Sequence, residues 1–182
     1  FNFATGWNQD ISSWDVSNVE DMTAMFYGAN SWTQTNITGW DLSSLKYGKE
    51  MLRDRNFNYQ VSWNLTNLLD GYMMFPTGYS ADLSLITFPV SGIGMFAQQR
   101  ALHSSLSSID ISNVRSMYQW FEYAQNVPDI TSWDVSQVTD FGYTFRATFN
   151  QDISSWDVSS ATSMLRMFQN NQVFNQNISG WN

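Results

Sequence analysis

The chain repeats itself about every 24 residues, and that period constrains its fold more than any other feature. Trp14-Asp15-Val16-Ser17 returns as Trp40-Asp41-Leu42-Ser43, Trp133-Asp134-Val135-Ser136 and Trp156-Asp157-Val158-Ser159. A Met-Phe pair or a near equivalent follows about ten residues after each. The anchors are Phe26, Leu52, Phe75, Phe96, Phe121, Phe145 and Phe168, at steps of 26, 23, 21, 25, 24 and 23 residues. Such a period marks a solenoid, in which each unit buries its apolar side only against its neighbours. The expectation is a single repeat body over 1–182, with about seven repeats of 21–26 residues. Phe1 stands at the anchor of a repeat without its first half, and Trp181-Asn182 falls in mid-repeat. Solenoids need polar caps, so these uncapped ends predict a piece of a longer array.

The unit 11–29 shows what one repeat is made of. Ile11, Trp14 and Val16 follow the spacing L-x-x-L-x-L, and the last two alternate as a short strand requires. Val19, Met22, Met25, Phe26 and Ala29 follow at steps of 3, 3, 1 and 3, which reads as a helical stripe. Ser17 and Glu20 read as a capping box, and Ser43, Thr66, Ser112, Ser136 and Ser159 as further N-caps. Asn- and Gln-rich returns close each unit. The predicted fold class is therefore α/β, each repeat a short parallel strand plus a helix. Helices are about 10 Å across and strands about 4.8 Å apart, so the stack would curve with its sheet on the concave side. One stretch departs from the rule. Ser84 and Ile109 replace the tryptophan, Pro89 takes the place of Val19, and the fourth unit is the shortest. It reads as a degenerate, kinked repeat, or else as a projecting binding feature.

A net charge of −8 argues against nucleic acid and against an anionic membrane surface, both of which call for a basic face. Lys46, Lys49, Arg53 and Arg55 do cluster, but Glu50 and Asp54 interleave with them as on a solvated face. No run approaches 18 apolar residues, so no membrane insertion is expected in this segment. The absence of cysteine excludes disulfides and thiolate chemistry.

The candidate site residues form a row. Asp15, Asp41, Asn64, Asp110, Asp134 and Asp157 share one strand position. Stacked carboxylates repel by about 1 kcal/mol at 4 Å even in water, so something must compensate. One reading is an Asx-turn in which each accepts the amide two residues on. The other is an acidic stripe that meets a basic partner. Asn36, Asn64 and Asn177 head N-x-[ST] sequons and are possible glycosylation sites on exposed turns. His103, the only histidine, lacks the context of a catalytic base. The Met row (Met22, Met25, Met51, Met74, Met95, Met117, Met164, Met167) reads as core filling. Trp7 and Trp32 would be contact anchors if exposed. Neither catalytic residues nor a metal or cofactor site is expected.

The pattern Ile-x-x-Trp-Asp-Val-Ser-Asn-Val-x-x-Met-x-x-Met-Phe-x-x-Ala, preceded by Phe-Asn-Gln-Asp-Ile-Ser, resembles the BspA-like leucine-rich-repeat surface proteins. It looks like the variety first noted as a lipoprotein repeat in Mycoplasma. The match is best over 7–29 and 130–181 and weakest over 76–108. The resemblance implies a leucine-rich-repeat-like curved solenoid, an extracellular or cell-surface location, and adhesion or protein–protein interaction without enzymatic activity. Partners would be protein or glycan ligands. Alternatives are a structural spacer that self-associates through its uncapped ends, and a carbohydrate-binding module.

Overall fold

The computed structural model describes residues 1–33, 37–53 and 57–181. Coil lies on coil, but the coils are not strand-plus-helix repeats. Among the described residues the one helical element is the short 3-10 helix Ser104–Ser108. Strand pairing is confined to isolated parallel bridges. The expected α/β, leucine-rich-repeat-like solenoid with a concave sheet is therefore overturned, and with it the width argument for curvature.

The cause lies in where the backbone amides go. A helix would send each N–H to the carbonyl four residues back. Instead, Met22, Ala24 and Phe26 donate to the Tyr47, Lys49 and Met51 carbonyls of the next coil, at 2.8, 2.8 and 3.0 Å. Gly48, Glu50 and Leu52 repeat this onto Asp70, Tyr72 and Met74, and Phe141, Tyr143 and Phe145 onto Ser163, Leu165 and Met167. The parallel bridges Asp21–Tyr47–Asp70–Ile93 and Ser116–Asp140–Ser163 lie in this same segment, where a helix was expected.

The intervening amides close β-turns. Met25 donates to Met22 and Ala29 to Phe26, with positive φ at the third turn residue, 51° at Ala24 and 67° at Gly28. That is the type II signature. Two residues before each anchor, Ala24, Glu50, Met73, Gly94, Gln119, Tyr143 and Arg166 all take this left-handed conformation. It costs a non-glycine residue about 1–2 kcal/mol. Ladder bonds worth about 1 kcal/mol each, together with apolar burial, offset that cost. A β-turn brings residues i and i+3 together just as a helical turn does. Steps of 3, 3, 1 and 3 therefore fit a chain of turns equally well.

The core is a set of columns. Phe121, Phe145 and Phe168 stack at 5.8 Å per step. A second column, Trp7–Trp32–Phe57, continues at 6.3 and 6.5 Å. Trp32 stacks on its own anchor Phe26 at 4.2 Å and is buried, so it belongs to the core and is no contact anchor. In the tryptophan column Thr87 pairs with Asn64, which puts Ile86, not Ser84, beside Trp63. Met22, Met51, Met74, Met95, Met117 and Met167 are buried as expected, whereas Met164 is 37% exposed.

Candidate binding edges

With no helix after them, the expected N-cap serines have another task. The Asp15 carboxylate accepts the Ser17 amide at 3.0 Å and its hydroxyl at 2.6 Å. Asp41, Asp110, Asp134 and Asp157 accept the amides of Ser43, Ser112, Ser136 and Ser159 in the same way, at 2.9–3.0 Å. Asn64 does so with Thr66, at 3.1 Å to the amide and 2.5 Å to the hydroxyl. All six candidate residues form one row of Asx-turns on an exposed edge. A second acidic row runs beside it, through Asp10, Asp82, Asp129 and Asp152, each accepting the amide two residues on.

These bonds set the electrostatics. The Ser17 hydroxyl, then its amide, hold the Asp15 carboxyl below the usual carboxylate range, and Ser43, Ser136 and Ser159 do the same for Asp41, Asp134 and Asp157. At Asp110 the Ser112 amide leads. Asp15 pushes Asp41 upward, and Asp157 pushes Asp134, but this repulsion is the smallest effect on each. The row therefore stays ionised. Shallow grooves open between its coils, one of about 240 Å³ bounded by Asp110, Trp133 and Asp134, another of about 110 Å³ beside Asp157.

Of the sequons, Asn64 and Asn177 are exposed, and Asn36 lies outside the described residues. Both side-chain oxygens close Asx-turns. His103 imitates the aspartates, since its Nδ1 accepts the Ser105 amide at 3.1 Å.

A cluster that sequence reasoning missed lies on the ladder face. Glu122 is buried, 3% exposed. It takes Arg146 Nη1 at 2.7 Å, Gln119 Nε2 at 3.0 Å and the Tyr72 hydroxyl at 3.2 Å. Arg146 lies over Tyr123 and Tyr143, at 4.8 and 5.8 Å. Arg166 also lies over Tyr143 and donates to its hydroxyl at 3.0 Å. One signal was available. Tyr72, Tyr118, Tyr123 and Tyr143 all lie within three residues of an anchor, where coil stacking must gather them.

The turn-built coils and their outward acidic rows define an open repeat protein. A family model described as Mycoplasma protein of unknown function, DUF285, matches residues 1–87 and again 91–182. The chain belongs to that family, a Mycoplasma- and BspA-related repeat family. The gap between the two matches, at 88–90, falls on the break at Pro89. No curated protein and no solved structure matches the chain.

Proposed function

We propose that this chain is a BspA-like, non-enzymatic repeat protein of the cell surface or extracellular space, acting in adhesion or protein–protein interaction through its acidic row. One observation carries the reading. Asn64 closes the same turn as its five aspartate counterparts, so the turn needs an acceptor oxygen and not a charge. The carboxylate charges at 15, 41, 110, 134 and 157 are therefore not required for the turn to form. A row of fixed charges facing solvent attracts and orients a basic partner. Surface plasmon resonance of the chain against immobilised lysine-rich proteins tests this. Binding is expected to weaken with each Asp→Asn change along the row and with added salt. Equal binding by the fully substituted row, or no binding by the parent chain, sinks the reading.

A further inference from the structure

The two grooves of the acidic edge differ in size. The one between the coils of Asp110 and Asp134 holds about 240 Å³, and the one between the coils of Trp156 and Trp181 about 110 Å³. Their linings differ at the tryptophan position. Trp156 and Trp181 both line the smaller groove, whereas Trp133 lines the larger one opposite Ile109. An isoleucine leaves open part of the volume that an indole fills. The Ile109 wall is irregular as well, because Ser107 and Ser108, at the end of the 3-10 helix Ser104–Ser108, belong to it. The opposite wall is held in place, since the Trp133 indole N–H donates to the Leu106 carbonyl at 3.1 Å.

The larger groove has an apolar floor and a charged rim. Ile109 and Trp133 are buried, and Asp110 and Asp134 are exposed. The two carboxylates hold the same position on successive coils, whose step measures 5.8 Å between Phe121 and Phe145. An ammonium N–H···O bond is about 2.8 Å long, so one ammonium reaches two oxygens about 5 Å apart. In each carboxylate Oδ1 takes a serine amide, that of Ser112 at 2.9 Å and of Ser136 at 3.0 Å. Oδ2 lies outside that bond. A guanidinium fork uses both oxygens of one carboxylate, whereas an ammonium has three separate donors for single oxygens. The exposed Ser108 and Ser132 offer hydroxyl oxygens to the third. A lysine stem packs on apolar surface while its head stays at a polar rim. Among the described residues no ion pair includes a carboxylate of this edge. Arg115, three residues after Ser112, donates instead to the Ser112 and Val114 carbonyls, at 3.0 and 3.2 Å. Against that one cation stand Asp110, Asp129, Asp134 and Asp157, so the surroundings remain negative.

We infer that this groove seats a lysine side chain of an extended, lysine-rich protein segment, with the stem on Ile109 and Trp133 and the ammonium between Asp110 and Asp134. The inference rests on the acidic-row reading above. It adds one defined seat to a row that otherwise attracts by charge alone, and it makes the irregular coil the place where the partner is recognised.

The test is titration calorimetry of the intact chain at low salt with a capped decapeptide of alternating lysine and serine, and with its arginine counterpart. The pair Asp110→Asn and Asp134→Asn is expected to weaken binding of the lysine peptide tenfold or more. The pair Asp15→Asn and Asp41→Asn removes the same charge from the far part of the row, and is expected to weaken it less than threefold. Asparagine closes the same turn at 64, so both pairs keep the fold. Ile109→Trp fills the groove without touching a charge, and is expected to cost tenfold or more. A thermal melt verifies that this variant folds, and the two asparagine pairs decide the matter if it does not. The arginine peptide is expected to bind several-fold more weakly. No binding of the lysine peptide by the parent chain, equal losses from the two pairs, unchanged binding by folded Ile109→Trp, or equal binding of the two peptides overturns the inference. If lysine-rich proteins still lose binding with each Asp→Asn change along the row, the acidic-row reading stands without the groove. A parent chain that binds neither peptide nor lysine-rich protein removes both.

Discussion

The coils at 130–168 and the coil at 83–96 solve the same packing problem with different parts. In the first region the columns are uniform. Trp133 and Trp156 are buried in the tryptophan column, and Phe121, Phe145 and Phe168 lie nearly parallel, 3° and 22° apart. In the second, Ile86 and Ile109 stand where tryptophan stands elsewhere. The missing volume is restored from another column. Trp120, at a position filled by methionine in the earlier coils, turns edge-on to Phe96 at 5.8 Å and 85°, and donates its indole N–H to the Gly92 carbonyl at 2.7 Å. Its neighbour in the next coil shrinks to Thr144, whose hydroxyl donates to the Met117 and Phe141 carbonyls. Close packing demands filled volume at a fixed register. Which column supplies the atoms is secondary.

The backbone tells the same story. Twelve residues separate Trp133 from Phe145, but only ten separate Ile86 from Phe96. The turn closed elsewhere by Val19, Leu45, Leu68, Val114, Val138 and Ala161 amides is lost. Pro89, with no N–H to close it, sits at the contraction. Val90 still offers its carbonyl to Arg115 and Ser116, at 2.6 and 3.2 Å, so the ladder passes the break.

The sharpest way to break this contrast is Trp120→Ala. It should cost about 3–5 kcal/mol, because it leaves a cavity among the rings of Phe88, Phe96 and Trp133. Chemical denaturation measures it, and a loss under about 1 kcal/mol would show that the irregular coil is loosely filled. A smaller effect of opposite signs comes from the left-handed row. Gly94→Ala should destabilise by about 1–2 kcal/mol, since it strains the backbone and displaces Tyr72. Ala24→Gly, at the equivalent place in a regular coil, should stabilise by up to about 1 kcal/mol. Equal signs in thermal melts would contradict the shared conformation.

The smallest effect is on pH dependence. The row's carboxyls are held low by hydrogen bonds in the folded state. Their contribution is present above the unfolded Asp value of about 3.9, and is lost as pH falls through the lower folded value. The melting temperature of the parent chain should therefore drop below about pH 4 more steeply than that of the chain with asparagine at 15, 41, 110, 134 and 157. Identical acid limbs would mean that the turns do not distinguish ionised from neutral acceptors.

Much of the architecture was legible because apolar identity repeats. The Ile, Trp, Phe and Met columns follow from register alone, and so does the Asx-turn reading of Asp15 and its row. The helix at 19–29 was misread because steps of three suit both a helix and successive β-turns, and because Ala24 and Glu50 carry no mark of a left-handed backbone. Glu122 was missed for a different reason. Its partners are fifty residues before it and twenty-four after, and no local pattern joins them.

By itself the sequence determined the period, the columns and the place of the break, since these depend only on which side chains avoid water and how often they recur. The direction of each backbone N–H was decided by the tertiary structure. A peptide amide has the same chemistry in a helix as between coils, and only the neighbouring coil's carbonyl, at hydrogen-bonding distance, selects the second.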